Sequence, residues 1–407
     1  MYFQTLDDKS DCVGIYHSGD LMFDFEQLPP SASRTWKYVP WLKGAEVEYA
    51  SLYLEGKSIG DIVPEYLKED WEDVSKKIIA FKRSLELAHV DTNENCFYDL
   101  VPQRFLIDFC SIQNKITQHV FDNVTKPKRY EFNKHLSQML VDIETRSVSI
   151  DRSYIGTFVD HVKLGRSATN ILNGSPQVLY NQFGTKTGRL TTRKNSFPIL
   201  TLSKDLRSGI VPNNDMFVEI DFNGAEVRTL LGLLEKDQPK VDVHEFHLQK
   251  VFRNLATRSD AKTAFFAWLY GSSSAASKAA GEELSRYYDK RSLLDKYWDG
   301  HNIKTPFFRT ITDVSSHYAL NYLVQSTAAD LALKQFLKVK RLLETRNATS
   351  EIAFLIHDSL VLDMKEQELH LLPVIKYLLS STNFGVFPVT IKKGNTLGNL
   401  REHKWIK

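Results

Sequence analysis

The chain has 407 residues, room for about two or three domains with ample material for a core. Hydrophobic residues at 42% and aromatics at 12% describe a globular protein, and a net charge of +2 is too small to attract nucleic acid globally, so such contact must rest on local basic patches. Cys12, Cys96 and Cys110 are odd in number and lack metal-site spacing, and neither a signal peptide nor an apolar run of membrane-spanning length is present, so a soluble cytoplasmic protein with reduced thiols is expected.

From Met1 to about Gly60 the pattern is strand-like, with CVGIYHSGDLMFDF reading as a hairpin about Ser18 to Asp20. A charged helical region follows from about Ile62 to Val90, and a second helix from Gln103 to Val124. After the basic run TKPKR an amphipathic helix places Phe132, Leu136, Met139, Leu140 and Ile143 on one face. Lys186, Arg189, Arg193, Lys194, Lys204 and Arg207 then form a basic stretch among Thr and Ser, which by itself reads as a solvated loop.

Three later stretches carry chemistry. In VEIDFNGAEVRTLLGLL an apolar strand ends at Asp221 and a helical pattern begins near Gly224; in IAFLIHDSLVLD, Asp358 occupies the turn between two apolar runs. Strand ends joined by tight turns can present two carboxylates to one pair of metal ions. In RSDAKTAFFAWLYG, Arg258, Lys262, Phe266 and Tyr270 recur every four residues and form one helical stripe, cationic at one end and aromatic at the other. Such a stripe can hold a triphosphate on its cations and a sugar or base on its rings. Taken alone, the stripe fits an amphipathic core helix better.

The three stretches, in this order, resemble motifs A, B and C of the family A DNA polymerases, the group of bacterial DNA polymerase I and many phage replicases. LYNQFGTKTGRLTT (Leu179 to Thr192) and NYLVQSTAADLALK (Asn321 to Lys334) resemble two further family segments, and the five together cover roughly Phe132 to the C-terminus. The resemblance implies an α/β (α+β) right-hand polymerase fold. A polymerase domain is expected over 126–407, with palm and a minimal thumb over 126–240, fingers over 241–320 and palm again over 321–407. An inactive, degenerate exonuclease-like domain is expected over 1–125, because Asp24, Glu26 and Asp108 could be nuclease carboxylates but Arg104 stands where the family has a tyrosine, and no middle motif is found. Between the amphipathic helix and TGRL only Arg152 to Tyr180 remain for a thumb, which implies weak, salt-sensitive grip on duplex DNA, low processivity, or a processivity or replisome protein as partner.

The implied reaction is primer extension from dNTPs on a DNA template, with Asp221, Asp358 and the backbone carbonyl of Phe222 holding two Mg²⁺ ions, Mn²⁺ being a substitute. Arg258 and Lys262 would hold the triphosphate, Lys262 also donating a proton toward pyrophosphate. His244 in the Asp-Val-His turn would approach the β-phosphate, with His247 a bystander. Glu226, supported by Tyr270, would close the sugar site against a 2′-hydroxyl, and Phe266 would lie beneath the ribose, disfavouring dideoxynucleotides. Arg189, Asn321 and Gln325 would face the minor groove and His357 the primer terminus. Arg228 reads equally as a family arginine or a structural ion pair, and Asp330 as structural.

The chain departs from the family pattern at Ser359, where a carboxylate is common, at Gly224, where a bulkier residue is frequent, and at Phe265 and Ala267. Two rivals stay open: a catalytically silent polymerase fold acting as a DNA-binding or replisome scaffold, and a single-subunit RNA polymerase, which Glu226 and Phe266 disfavour. A viral, phage-type source fits the stripped-down layout.

Overall fold

The computed structural model describes residues 1–407 apart from 10, 24–27, 93, 253–256, 272–274 and 404–407, and for 275–278 the backbone alone. The chain divides into two compact units, Met1–Thr145 and Arg146–Lys407. Among the described residues no helix is long and apolar enough to cross a membrane.

In the first unit the strands Phe3–Asp8, Asp11–His17 and Asp20–Met22 form an antiparallel sheet. His17 pairs with Asp20, and Ser18 and Gly19 between them take φ of +55° and +102°, the left-handed geometry a two-residue hairpin requires. The helices Lys68–Leu87 and Gln103–Asn123 complete a core of Leu6, Tyr16, Val74, Val101, Phe105, Leu106 and Cys110. The amphipathic helix runs Tyr130–Glu144 and buries Leu136, Met139, Leu140 and Ile143, with Phe132 half-buried. Its Tyr130 hydroxyl accepts the Tyr49 N–H at 2.7 Å, which ties this helix to the first unit. Asp108 and Arg104 are exposed on the Gln103 helix, and Asp24 and Glu26 lie outside the described residues.

The second unit is built on a five-stranded antiparallel sheet, in spatial order Glu351–Ile356, Ser359–Met364, Met216–Phe222, Val389–Gly394 and Arg401–Glu402. The strand Ser359–Met364 is buried along its whole length, so its apolar run is continuous rather than alternating. A 30-residue helix, Ser316–Thr345, packs on the Asp221 strand, with Phe336 stacked on Phe222 at 6.3 Å. Its first half joins the helices Ala225–Leu233, Val243–Lys250 and Arg258–Leu269 in a second core. Between Arg152 and Tyr180 stand two short helices, Arg152–Gly156 and Gly165–Asn173.

An unanticipated side chain braces the TGRL loop. Arg309 donates from Nε and Nη2 to the two carboxylate oxygens of Asp330, at 3.1 and 2.7 Å, and its guanidinium lies flat against Gly188. Gly188 has φ of +80°, and a Cβ there would fall 2.1 Å from Arg309 Nη2, so only glycine admits this approach. Asp330 is wholly buried. Arg309→Ala should therefore cost about 3–5 kcal/mol in urea unfolding, because it takes a bidentate cation from a wholly buried carboxylate; a loss below about 1 kcal/mol would show that the ion pair contributes little to stability.

Candidate active site

Strand register brings the two motif carboxylates together. In the antiparallel pairing, Asp221 stands opposite Ser359, and the hairpin Glu351–Ile356 to Ser359–Met364 closes at Ile356 and Ser359. The turn is thus His357–Asp358, with His357 at φ of +54°, an uncommon conformation for a side chain-bearing residue. His357 is exposed, which removes the core-histidine reading. Asp358 follows directly, beside Asp221. Burial raises the Asp358 carboxyl above the usual carboxylate range; Arg189 pulls it back down, and the like charge of Asp221 pushes it up again. The Ser359 hydroxyl donates to Asp221 Oδ1 at 2.7 Å. Phe222, the last residue of the strand, anchors its ring in the core between Phe336 and Phe387.

The donor set fits a magnesium-type ion: two adjacent carboxylates repel each other, supply only oxygen, and leave further positions to water or substrate. Among the described residues no group of three or more His, Cys, Asp or Glu converges as a metal cage.

Glu226 sits in the first turn of the next helix, only 5% exposed. That helix starts from Gly224 at φ of +64°, where a Cβ would lie 2.4 Å from Val243 Cγ2. The bulkier residue expected at this position has no room here. Glu226 Oε1 accepts from Arg189 Nη2 at 2.5 Å, and the Tyr270 hydroxyl lies 3.3 and 3.4 Å from its two oxygens. Burial raises its carboxyl and Arg189 lowers it. Tyr270 stacks nearly parallel on Phe266, with centroids 5.8 Å apart. Arg189, Glu226, Tyr270 and Phe266 thus form one continuous wall.

The helix Arg258–Leu269 opens on a capping box, with Thr257 and Asp260 satisfying each other's backbone donors. Arg258 and Lys262 are both exposed, one turn apart. Arg258 forks onto Asp242, with Nε to Oδ1 at 2.9 Å and Nη2 to Oδ2 at 2.7 Å. Asp242 also accepts the backbone N–H of His244 and Glu245, capping the helix Val243–Lys250. Despite partial burial these donors hold the Asp242 carboxyl down to about 2. Burial pushes the neighbouring His244 down to about 4 and His247 to about 3. His247 lies in the core, its Nε2 2.5 Å from the Tyr288 hydroxyl and its ring stacked on Phe265. Arg228 is fully buried and donates to the carbonyls of Asn223, Pro239 and Val241 instead of to a carboxylate, and burial lowers it to about 10. It shapes the loop that ends at Asp242. On the long helix Asn321 and Gln325 are half-buried one turn apart, and Asn321 Oδ1 is buried with no hydrogen-bond partner.

No protein-family model matches the chain. Two proteins named DNA polymerase I do: that of Caldicellulosiruptor bescii, 24% identical over 246 residues that take in 49% of this chain and 29% of that protein, and that of Geobacillus stearothermophilus, 23% identical over 244 residues, 49% of this chain and 28% of that protein. The chain thus spans under a third of the length of these relatives. A solved structure, the POL domain of Pol1 from M. smegmatis in complex with DNA primer-template and dNTP, matches 98% of this chain and 95% of its own, with a TM-score of 0.69 and 12% identity. The chain thus shares the fold of that polymerase domain and is similar to DNA polymerase I proteins over about half its length.

Several contact partners of these side chains are not marked in the sequence. Asp242 as the counter-ion of Arg258, Ser359 as the donor to Asp221 and Arg309 as the brace behind Gly188 leave no local signal, since each pair meets only in the fold. The paired His244 and His247 make a pH dependence. Each stays neutral in the folded chain below the pH at which the unfolded chain takes up a proton. Stability present above about pH 6.5 is therefore lost as pH falls toward the two depressed values, at about 1.4 kcal/mol per pH unit for each histidine. His247→Phe should remove its share of that slope, read from urea unfolding at several pH values between 7.5 and 5; an unchanged slope would show that His247 titrates normally.

The Arg258 fork yields a second expectation. Asp242→Asn keeps the helix cap but removes the competing charge, so affinity for inorganic tripolyphosphate should rise about fivefold, matching about 1 kcal/mol for an exposed pair. Unchanged affinity in calorimetric titration would mean that the carboxylate does not compete for Arg258.

Proposed function

We propose that the chain is a template-directed DNA polymerase that adds dNTPs to a primer 3′ end, and the observation that carries this is the register that sets Asp221 beside Asp358. Asp221, Asp358 and the Phe222 carbonyl would hold two Mg²⁺ ions, or Mn²⁺ in their place, and these supply charge stabilisation at the attacking and leaving oxygens. Strand pairing holds Asp221 and the turn of Asp358 at the same end of the sheet, which suits them to fixing geometry.

The exposed Arg258 and Lys262 bind the triphosphate, Arg258 exchanging the Asp242 carboxylate for phosphate oxygens. Lys262 gives a proton to the departing pyrophosphate. His244 is neutral at physiological pH, so it can donate one N–H to a phosphate oxygen without adding charge. The wall of Glu226, Tyr270 and Phe266 bounds the sugar and excludes a 2′-hydroxyl. Arg189, Asn321 and Gln325 face the minor groove of the primer-template, and His357 the primer terminus. The unpartnered Asn321 Oδ1 supports that reading, because a buried polar atom without a partner suits a ligand hydrogen bond.

The two short helices between Arg152 and Tyr180 support low processivity, with a replisome protein supplying the missing grip, and Arg104 supports the absence of proofreading. The test is extension of a labelled primer on a DNA template with Mg²⁺, comparing dNTPs with NTPs, several salt concentrations, and a control lacking nucleotide. Wild type should extend with dNTPs in short, salt-sensitive runs and leave the primer undegraded, and Asp358→Ala should lose at least about 10³-fold in rate. Tight primer-template binding without extension would favour the silent scaffold instead.

A further inference from the structure

The side chain of Ser359, the first residue of its strand, is engaged. It is almost wholly buried, directly opposite Asp221 across the antiparallel pair. Cross-strand partners project to the same face of a sheet, so the two side chains meet by construction. The Ser359 hydroxyl has one proton, and it goes to Asp221 Oδ1 at 2.7 Å. That bond occupies one lone pair of Oδ1 and leaves Oδ2 and the remaining Oδ1 lone pair available.

We propose that Ser359 is a positioning residue for the carboxylate pair: its hydroxyl locks the Asp221 carboxylate in the orientation that presents its free oxygen to a divalent cation beside Asp358. The inference rests on the reading of Asp221 and Asp358 as cation ligands. Its physical basis is an economy of charge. A carboxylate at 359 would add a third negative charge beside two that already repel each other, whereas a neutral donor orients Asp221 without adding charge. The centre is thereby built with two carboxylates and an oriented lone pair, and cation affinity depends on that orientation.

The test uses two variants of nearly equal volume, Ser359→Thr, which keeps the hydroxyl, and Ser359→Val, which lacks it. Both residues are β-branched and suited to a strand, so a comparison between them separates the hydrogen bond from packing. Mn²⁺ binding to the full chain, with primer-template and a non-hydrolysable dNTP analogue, is followed by electron paramagnetic resonance. Ser359→Val should weaken the site about tenfold, the lower end of the effect of removing an outer-shell partner, and Ser359→Thr should stay within about twofold of wild type. In primer extension the same loss should appear as a higher half-saturating metal concentration, with the rate at saturating metal little changed. Asp358→Ala is the control. If it leaves Mn²⁺ binding intact, the cation-ligand reading falls and this inference with it. If Asp358→Ala abolishes the site but Ser359→Val and Ser359→Thr bind Mn²⁺ equally, only the positioning role is overturned.

Discussion

Two carboxylates held side by side are an electrostatic cost, and much of the second unit can be understood as the means of imposing it. Asp221 and Asp358 come from separate stretches of chain, and only the pairing of Met216–Phe222 with Ser359–Met364 puts them together. A slip of one residue in that pairing would turn the Ser359 strand over and send the wrong face to Asp221. Continuous apolar burial of the Ser359 strand and the Phe222 contact with the long helix resist such a slip. Core packing therefore sustains a local arrangement that the charges alone would oppose.

Cations and hydroxyls around the pair moderate the repulsion without neutralising it. Arg189 reaches Glu226 directly and lowers the Asp358 carboxyl from its raised level. Against the preceding Gly188 lies the guanidinium of Arg309, which is itself held by a buried aspartate on the long helix. The chain of support thus runs from Asp330 through Arg309 and Gly188 to Arg189 and Glu226.

The cationic helix is arranged differently. Arg258 and Lys262 stay exposed, and the Asp242 fork keeps Arg258 extended at the start of its helix. A carboxylate in that fork resembles a phosphate in charge and in oxygen geometry, so one can replace the other with little reorganisation. Behind it, the neutral His244 and His247 and the carbonyl-bound Arg228 make a polar core that holds the Asp242 loop in place.

The strand carrying Asp221, the turn carrying Asp358, the helix from Arg258 and the hairpin at Ser18 were all legible in the sequence, because apolar periodicity, turn residues and helix caps are local signals. Chemical type was legible too: the four-residue spacing marks a stripe of two cations and two aromatics, and the resemblance to polymerase motifs singles out the two carboxylates. Pairing was not. Ser359 lies 138 positions from Asp221, Glu226 lies 37 from Arg189 and Asp330 lies 21 from Arg309. No periodicity spans such separations, and a hydroxyl or guanidinium finds its acceptor only after loops close and the core excludes water. The sequence by itself determined which groups the chain could bring to a site; the tertiary structure decided which of them face each other, since long-range contacts are selected by packing and register rather than by local propensity.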